Sequence, residues 1–239
     1  MTSQISKLIK LSGAIAVAAS VVGCSGGAYI ETADRNDVVT VGDSVFDSNG
    51  VIESTLESYE GSTFRNYTTG GAEMAGGVIA PSVESQYSTA NNTNGNIDTV
   101  LMNGGGNDIL IPAMLFDPYG CRTHWWRWNI SQSCINLIGD TYVAGVNLLN
   151  QMDADGVQNV VFLGYYEPPR SNSNLSQAVS VGDDYLSYAC GVSTNANCTF
   201  VDVRGTVPAS QIEGDDIHPT PAGSVNLANQ VWPVLSPLL

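Results

Sequence analysis

Three side chains of this sequence could together activate a hydroxyl: Ser44, within Gly42-Asp43-Ser44, and Asp215 and His218, within Asp215-Asp216-Ile217-His218-Pro219. A serine hydroxyl barely ionises at neutral pH and attacks an ester only when a placed base takes its proton. An imidazole does this best when a carboxylate fixes its tautomer and stabilises the imidazolium that forms. Asp215 and His218 can face each other across one tight turn, and Pro219 disfavours a helical backbone at His218. A third segment, Gly105-Gly106-Asn107-Asp108, offers an amide that can donate to an oxyanion and glycines that let backbone approach a substrate. Together they point to acyl transfer. Taken singly, each has a plainer reading: Gly-Asp-Ser and Asn107 or Asp108 as helix caps, His218 as an exposed loop histidine.

The other histidine, His124, sits among Trp125, Trp126 and Trp128, neighbours that argue against a role as base. Those tryptophans could line an acyl pocket, dip into a lipid surface, or form the small core of an insertion. Arg122 and Arg127 are expected to pair with acidic surface residues. Asp43 and Asp108 are expected to hold loops rather than react, and Glu167-Pro168-Pro169-Arg170 to form a rigid turn.

The elements that must position these residues are legible as short apolar, β-branched runs at 38–41, 63–67, 99–102, 160–163 and 199–203. Stretches long enough for helices separate them, so the pattern predicts an α/β fold with a parallel sheet covered on both faces. The clearest helices are expected over 135–153 and 221–232. The second has Thr220 as N-cap, Pro221 at its first position, a stripe of Val225, Ala228, Val231 and Trp232 toward the sheet, and Pro233 as its stop. Ser88 to Asn96 reads as a polar surface loop. Gly42-Asp43-Ser44, Gly70-Gly71 and Gly104 to Asp108 each follow a strand, where open parallel sheets bind ligands.

In this order and placement the chain resembles the SGNH hydrolases, also called the GDSL esterase/lipase family. Gly42-Asp43-Ser44 matches its first block, Gly105-x-Asn107-Asp108 its third and Asp215-x-x-His218-Pro219 its fifth. For the second block, Asn66 with Gly71 fits best and Gly70 competes. Val45 stands where many members have leucine, and the Trp-rich stretch has no counterpart. The resemblance implies a three-layer α/β/α flavodoxin-like sandwich around a parallel sheet of about five strands. It further implies Ser44 as nucleophile, His218 as base and then acid, Asp215 as its orienting group, and an oxyanion hole from the N–H groups of Ser44 and Gly71 with the Asn107 amide. The expected activity is hydrolysis of small to medium carboxylic esters, with no metal or organic cofactor. The alternatives are an O-deacetylase or O-acyltransferase of carbohydrate or peptidoglycan, a lysophospholipase, and a catalytically silent surface binding protein.

The rest of the composition concerns location. Lys7 and Lys10 precede an apolar stretch from Leu11 to Val22, and Val21-Val22-Gly23-Cys24 resembles a bacterial lipobox. The expected organisation is a signal peptide over 1–23, lipidation at Cys24, a polar tether over 24–36 and a domain over 37–239 with insertions near 115–135 and 165–198. The expectation is a monomeric lipoprotein anchored through Cys24 on the extracytoplasmic side of a bacterial envelope, at the periplasmic or surface face of the outer membrane, with an ester or acylated glycan as substrate. The formal net charge is −15, and beyond the two leader lysines six arginines face 23 carboxylates. Such a surface repels nucleic acid. Four cysteines follow Cys24, and pairing Cys121 with Cys134 and Cys190 with Cys198 is favoured because each pair brackets a short polar loop. No cysteine spacing of the metal-binding kind is present.

Overall fold

Each of the five apolar runs forms a strand. The structure, a computed structural model, describes residues 26–77, 79–168, 175–194 and 197–239. The leader, Cys24, Pro169 and Arg170 lie outside the described residues. Strands β1 (Arg35–Val41), β2 (Phe64–Asn66), β3 (Thr99–Met102), β4 (Asn159–Leu163) and β5 (Cys198–Val201) make one parallel sheet in the order β2-β1-β3-β4-β5. This is the flavodoxin-like order, in which the chain reverses direction across the sheet beside β1.

Alternation along the strands feeds two cores. Val39, Val41, Val100, Met102, Val160 and Phe162 face α3 (Val83–Thr93), α5 (Gln132–Ala154) and α6 (Ser176–Val192). Val38, Leu101, Val161 and Leu163 face α2 (Val51–Glu60) and α7 (Pro221–Leu235). Both faces are covered, so the fold is a three-layer α/β/α sandwich and its strands read as near-continuous apolar runs. The short helices α1 (Ser44–Asp47) and α4 (Gly106–Leu115) begin just beyond β1 and β3.

Several local expectations change. Residues 88–93 are helical, as part of α3, because Ser82 caps the helix through Ser85 N–H and Val83, Tyr87 and Ala90 bury one face. The side chain of Thr220 caps α7 as expected, but the helix runs through Pro233 to Leu235. Pro233 has no N–H for the Asn229 carbonyl, and the loss is confined to one intrahelical bond two residues before the helix ends. The inward stripe of α7 is Leu227, Ala228, Val231 and Leu235, while Val225 is 37% exposed. From Gly26 onward the expected tether lies on the domain: Gly26 and Gly27 donate to the Asp47 carbonyl, Ile30 bridges Asn66, and Tyr29 packs edge-on against Tyr67. The stretch 165–198, read as an insertion from its polar composition, contains α6, the crossover between β4 and β5.

Candidate active site

The loop after β1 is held by side chains from distant elements. The Gln86 amide pairs with the Gly42 peptide, accepting its N–H at 2.7 Å and donating to its carbonyl at 3.0 Å. Position 42 must be glycine, since a Cβ there would lie 1.9 Å from Oδ1 of Asn103. The buried Asp43 carboxylate caps α1 by accepting from Val45 N–H at 2.9 Å, and it also accepts from Nδ2 of Asn103 at 2.7 Å and from the Tyr165 hydroxyl at 2.5 Å. Burial pushes its carboxyl up, and the hydrogen bonds from Tyr165, Val45 and Asn103 oppose that. Asp43 is thus a structural cap that sets Ser44 at the first position of a one-turn helix. The helix-cap reading of Gly-Asp-Ser holds, with Asp43 as the cap.

The loop before α7 presents the second pair. Oδ1 of Asp215 accepts from the N–H groups of Ile217 and His218 at 2.9 and 3.0 Å, and Oδ2 lies 2.5 Å from Nδ1 of His218. Asp216 closes this turn at φ 68°, an uncommon value for a residue with a side chain. Burial raises the Asp215 carboxyl, but the N–H and ring of His218 and the N–H of Ile217 outweigh it, so the group stays below the ordinary carboxylate range. With Nδ1 on Asp215, the other ring nitrogen, Nε2, is left to act. Asn49 ties the two loops together: its amide donates to the Pro219 carbonyl at 3.0 Å, and its oxygen accepts from Val51 N–H at 3.0 Å and the Ser224 hydroxyl at 3.1 Å.

Ser44, Asp215 and His218 border one depression together with Asp47, Gly70 and Pro219. Among the described residues, neither the Ser44 hydroxyl nor Nε2 of His218 has a hydrogen-bond partner. Catalytic hydrogen bonds are often open before substrate arrives.

The N–H groups of Gly70 and Gly71 differ in their surroundings. Gly70 donates to Oδ2 of Asp47 at 2.8 Å, whereas Gly71 N–H has no partner among the described residues. Gly71 has φ 83°, which turns its N–H where a residue with a side chain would be strained. Ser44 N–H is likewise free, lying at the start of α1. The Asn107 amide, on the first turn of α4, donates one hydrogen to the Ala72 carbonyl at 2.9 Å and keeps a second. Asp108 instead holds a loop, accepting Met74 N–H at 2.8 Å, and burial pushes its carboxyl up to about 6.

Ser44 and Asn107 also line a cavity of about 380 Å³ walled by Ile109, Leu110, Leu175, Val179 and Leu186. A hydrocarbon chain could occupy it. Among the described residues, no group of three or more His, Cys, Asp or Glu is placed to hold a metal. No described helix is long and apolar enough to cross a membrane.

The stretch 115–135 departs from its expected packing. Both disulfides form, Cys121–Cys134 and Cys190–Cys198. The tryptophans do not make a core: Trp125, Trp126 and Trp128 are 81%, 61% and 83% exposed, and they line neither depression. Cys121, Ile130 and Cys134 pack on Ala113, Leu175 and Ala178 instead. His124 stacks on Trp126 at 4.6 Å, away from the residues that border Ser44. Arg127 lies 3.6 Å from Asp117, as an ion pair would, but among the described residues Arg122 has no such partner, and it lines the cavity.

Gln86, Asn103, Asp47, Asn49 and Tyr165 could not be found from the sequence. They act through contacts far apart in the chain, 122 residues for Tyr165 on Asp43 and 170 for Asn49 on Pro219, and no local pattern marks them.

No protein-family model matches the chain, and no curated protein matches it. Solved structures do. The lipase Lip_vut3 from a goat rumen metagenome superposes with a TM-score of 0.61 at 13% identity, over 82% of this chain and 96% of that one. A GDSL-like lipase from Bacteroides thetaiotaomicron gives 0.54 at 13% identity over 87% and 92%. A carbohydrate esterase of family 3 from Talaromyces cellulolyticus gives 0.53 at 18% identity over 84% and 96%. Identities this low carry the fold and leave chemistry to be argued from the site.

Proposed function

We propose that this chain is a serine esterase of the SGNH type, cleaving carboxylic esters through an acyl-enzyme. The observation that carries the reading is the joint placement of Ser44 with the Asp215–His218 pair, 2.5 Å from carboxylate to ring, at the carboxyl edge of the sheet. Nε2 of His218 takes the proton of Ser44 Oγ as that oxygen bonds to the ester carbonyl carbon. The resulting oxyanion is held by the N–H groups of Ser44 and Gly71 and the free hydrogen of the Asn107 amide. His218 then gives its proton to the departing alcohol as the carbon–oxygen bond breaks. In the second half, His218 takes a proton from water, the hydroxide bonds to the acyl carbon, and Ser44 leaves with the proton returned. Removing one oxyanion donor typically costs about 3–4 kcal/mol of transition-state stabilisation.

The apolar cavity favours a short to medium acyl chain over acetyl alone. It therefore weighs against an O-deacetylase and against transfer to a sugar hydroxyl. Lipid anchoring at Cys24, an envelope location and a monomeric state complete the proposal, and the two disulfides suit an oxidising compartment.

An alkyl fluorophosphonate tests the nucleophile without any assumption about substrate. One equivalent should bind, its mass should be found on the peptide containing Ser44, and His218→Ala should abolish labelling. Attachment to a different residue would remove Ser44 from the mechanism.

A further inference from the structure

Arginine is scarce in this chain, and four of the five described arginines have their guanidinium groups occupied. Arg35 pairs with Asp37 at 2.7 Å and Glu60 at 3.2 Å, and Arg204 with Asp184 and Asp202. Arg65 is buried and donates to the carbonyls of Glu31, Asn36, Ala90 and Asn94 and to the Tyr67 hydroxyl. Arg127 lies beside Asp117.

Arg122 differs. Its backbone N–H donates to Oδ1 of Asp117 at 3.2 Å, but among the described residues no hydrogen bond or carboxylate meets its side chain. Its Nε is fully buried with no acceptor. A buried donor left open is costly, so a group that finds no acceptor in its own chain is usually completed by water or a ligand. Arg122 lines the same cavity as Ser44, beside Met114, Leu175 and Ala178. It follows Cys121, whose disulfide and packing on Ala113 and Leu175 fix the backbone from which the guanidinium extends.

We infer that Arg122 is a specificity group, and that the ester cleaved here carries an oxyanion, carboxylate or phosphate, on the part remote from the scissile carbonyl. This rests on the reading of Ser44 as the site of cleavage. The guanidinium fork matches either oxyanion through two parallel N–H bonds. The apolar walls between Ser44 and Arg122 suit a hydrocarbon spacer. Among the described residues, none of the cavity's carboxylates, Asp43, Asp183, Asp215 and Asp216, forms an ion pair with Arg122. Asp43 and Asp215 are engaged around Ser44 and His218, and Asp183 accepts the Tyr165 N–H at the β4 end, where burial pushes it up to about 8. With a net charge of −15 the chain gives an anion no long-range attraction, so its capture depends on this local fork.

The test compares three p-nitrophenyl esters of equal chain length: hexanoate, the monoester of adipic acid, and 6-phosphonooxyhexanoate. The full chain should favour one or both anionic esters by about tenfold or more in kcat/KM, expressed mainly in KM, and the better of the two identifies the oxyanion. Arg122→Gln should bring the anionic-to-neutral ratio near unity, and Arg122→Lys should restore part of it. Equal kcat/KM for all three, or a ratio that Arg122→Gln leaves unchanged, would overturn the inference while leaving the esterase reading intact. If no ester is cleaved, the serine reading fails, and calorimetry with adipate and hexanoate on the same proteins still decides. Adipate binding that exceeds hexanoate binding and is lost in Arg122→Gln supports the anion site; no difference overturns it.

Discussion

The Asp215 carboxylate spans its own turn: one oxygen lies 2.5 Å from Nδ1 of His218 while the other accepts the N–H groups of His218 and Ile217. One side chain therefore fixes both the loop and the ring it presents. Asp215→Asn keeps much of the shape but loses the charge that stabilises an imidazolium. Steady-state kinetics on a short-chain ester should show kcat reduced by about 10²–10⁴ with KM little altered. A change confined to KM would assign Asp215 to binding.

The same carboxylate gives an acid limit. Its folded-state pKa is depressed, so its contribution to stability is complete above the unfolded carboxylate range and is lost as pH falls through the folded value. The Asp215→Asn variant should accordingly lose less stability than the parent between pH 5 and pH 2 in thermal denaturation. Parallel pH profiles would contradict this.

The fold was largely legible because both faces of the sheet are covered, which writes each strand as an apolar run that needs no partner to be recognised. The triad candidates were legible because Asp215 and His218 interact within one turn. What escaped was long-range. Tyr165 reaches Asp43, Gln86 reaches Gly42, and Asn49 reaches Pro219, and none of these is marked by spacing. What sets Gly70 apart from Gly71 is Asp47, whose carboxylate occupies the Gly70 N–H. The tryptophans misled because their size suggests a core, whereas the smaller Ile130 and the disulfide fill that place. The 88–93 helix was hidden by polar composition, its buried face being Val83, Gln86, Tyr87 and Ala90.

Asn107 tests the oxyanion hole. Its amide bonds Ala72 and keeps one hydrogen toward the cavity. Asn107→Ala should lower kcat by about 10²–10³ with little effect on KM. The loss of the Ala72 bond costs at most about 1–3 kcal/mol of stability, which a melting curve separates from the catalytic effect.

Glu53 gives a prediction of the opposite pH sign. It is buried on α2, Oε2 has no partner, and burial pushes its carboxyl up to about 8, with Asp47 and Glu57 adding to the shift. A raised folded-state pKa means that stability falls as pH rises from the ordinary glutamate range through 8. Glu53→Gln should melt higher than the parent at pH 9, by an amount on the order of a few kcal/mol, and the gap should narrow toward pH 5. A constant gap, or none, would contradict the assignment.

The disulfide Cys121–Cys134 closes the loop that carries Arg122. The double serine variant should lose about 2–3 kcal/mol of stability in denaturant titration. An unchanged midpoint would show that the packing of Ile130 on Ala113 and Leu175 suffices.

The most direct measurement is the rate of p-nitrophenyl butyrate hydrolysis by the full chain and by Ser44→Ala, both purified in the same way and shown to be folded. The parent should turn the ester over, and the variant should lose at least about 10³-fold in kcat. Equal rates in the two proteins would place the chemistry elsewhere.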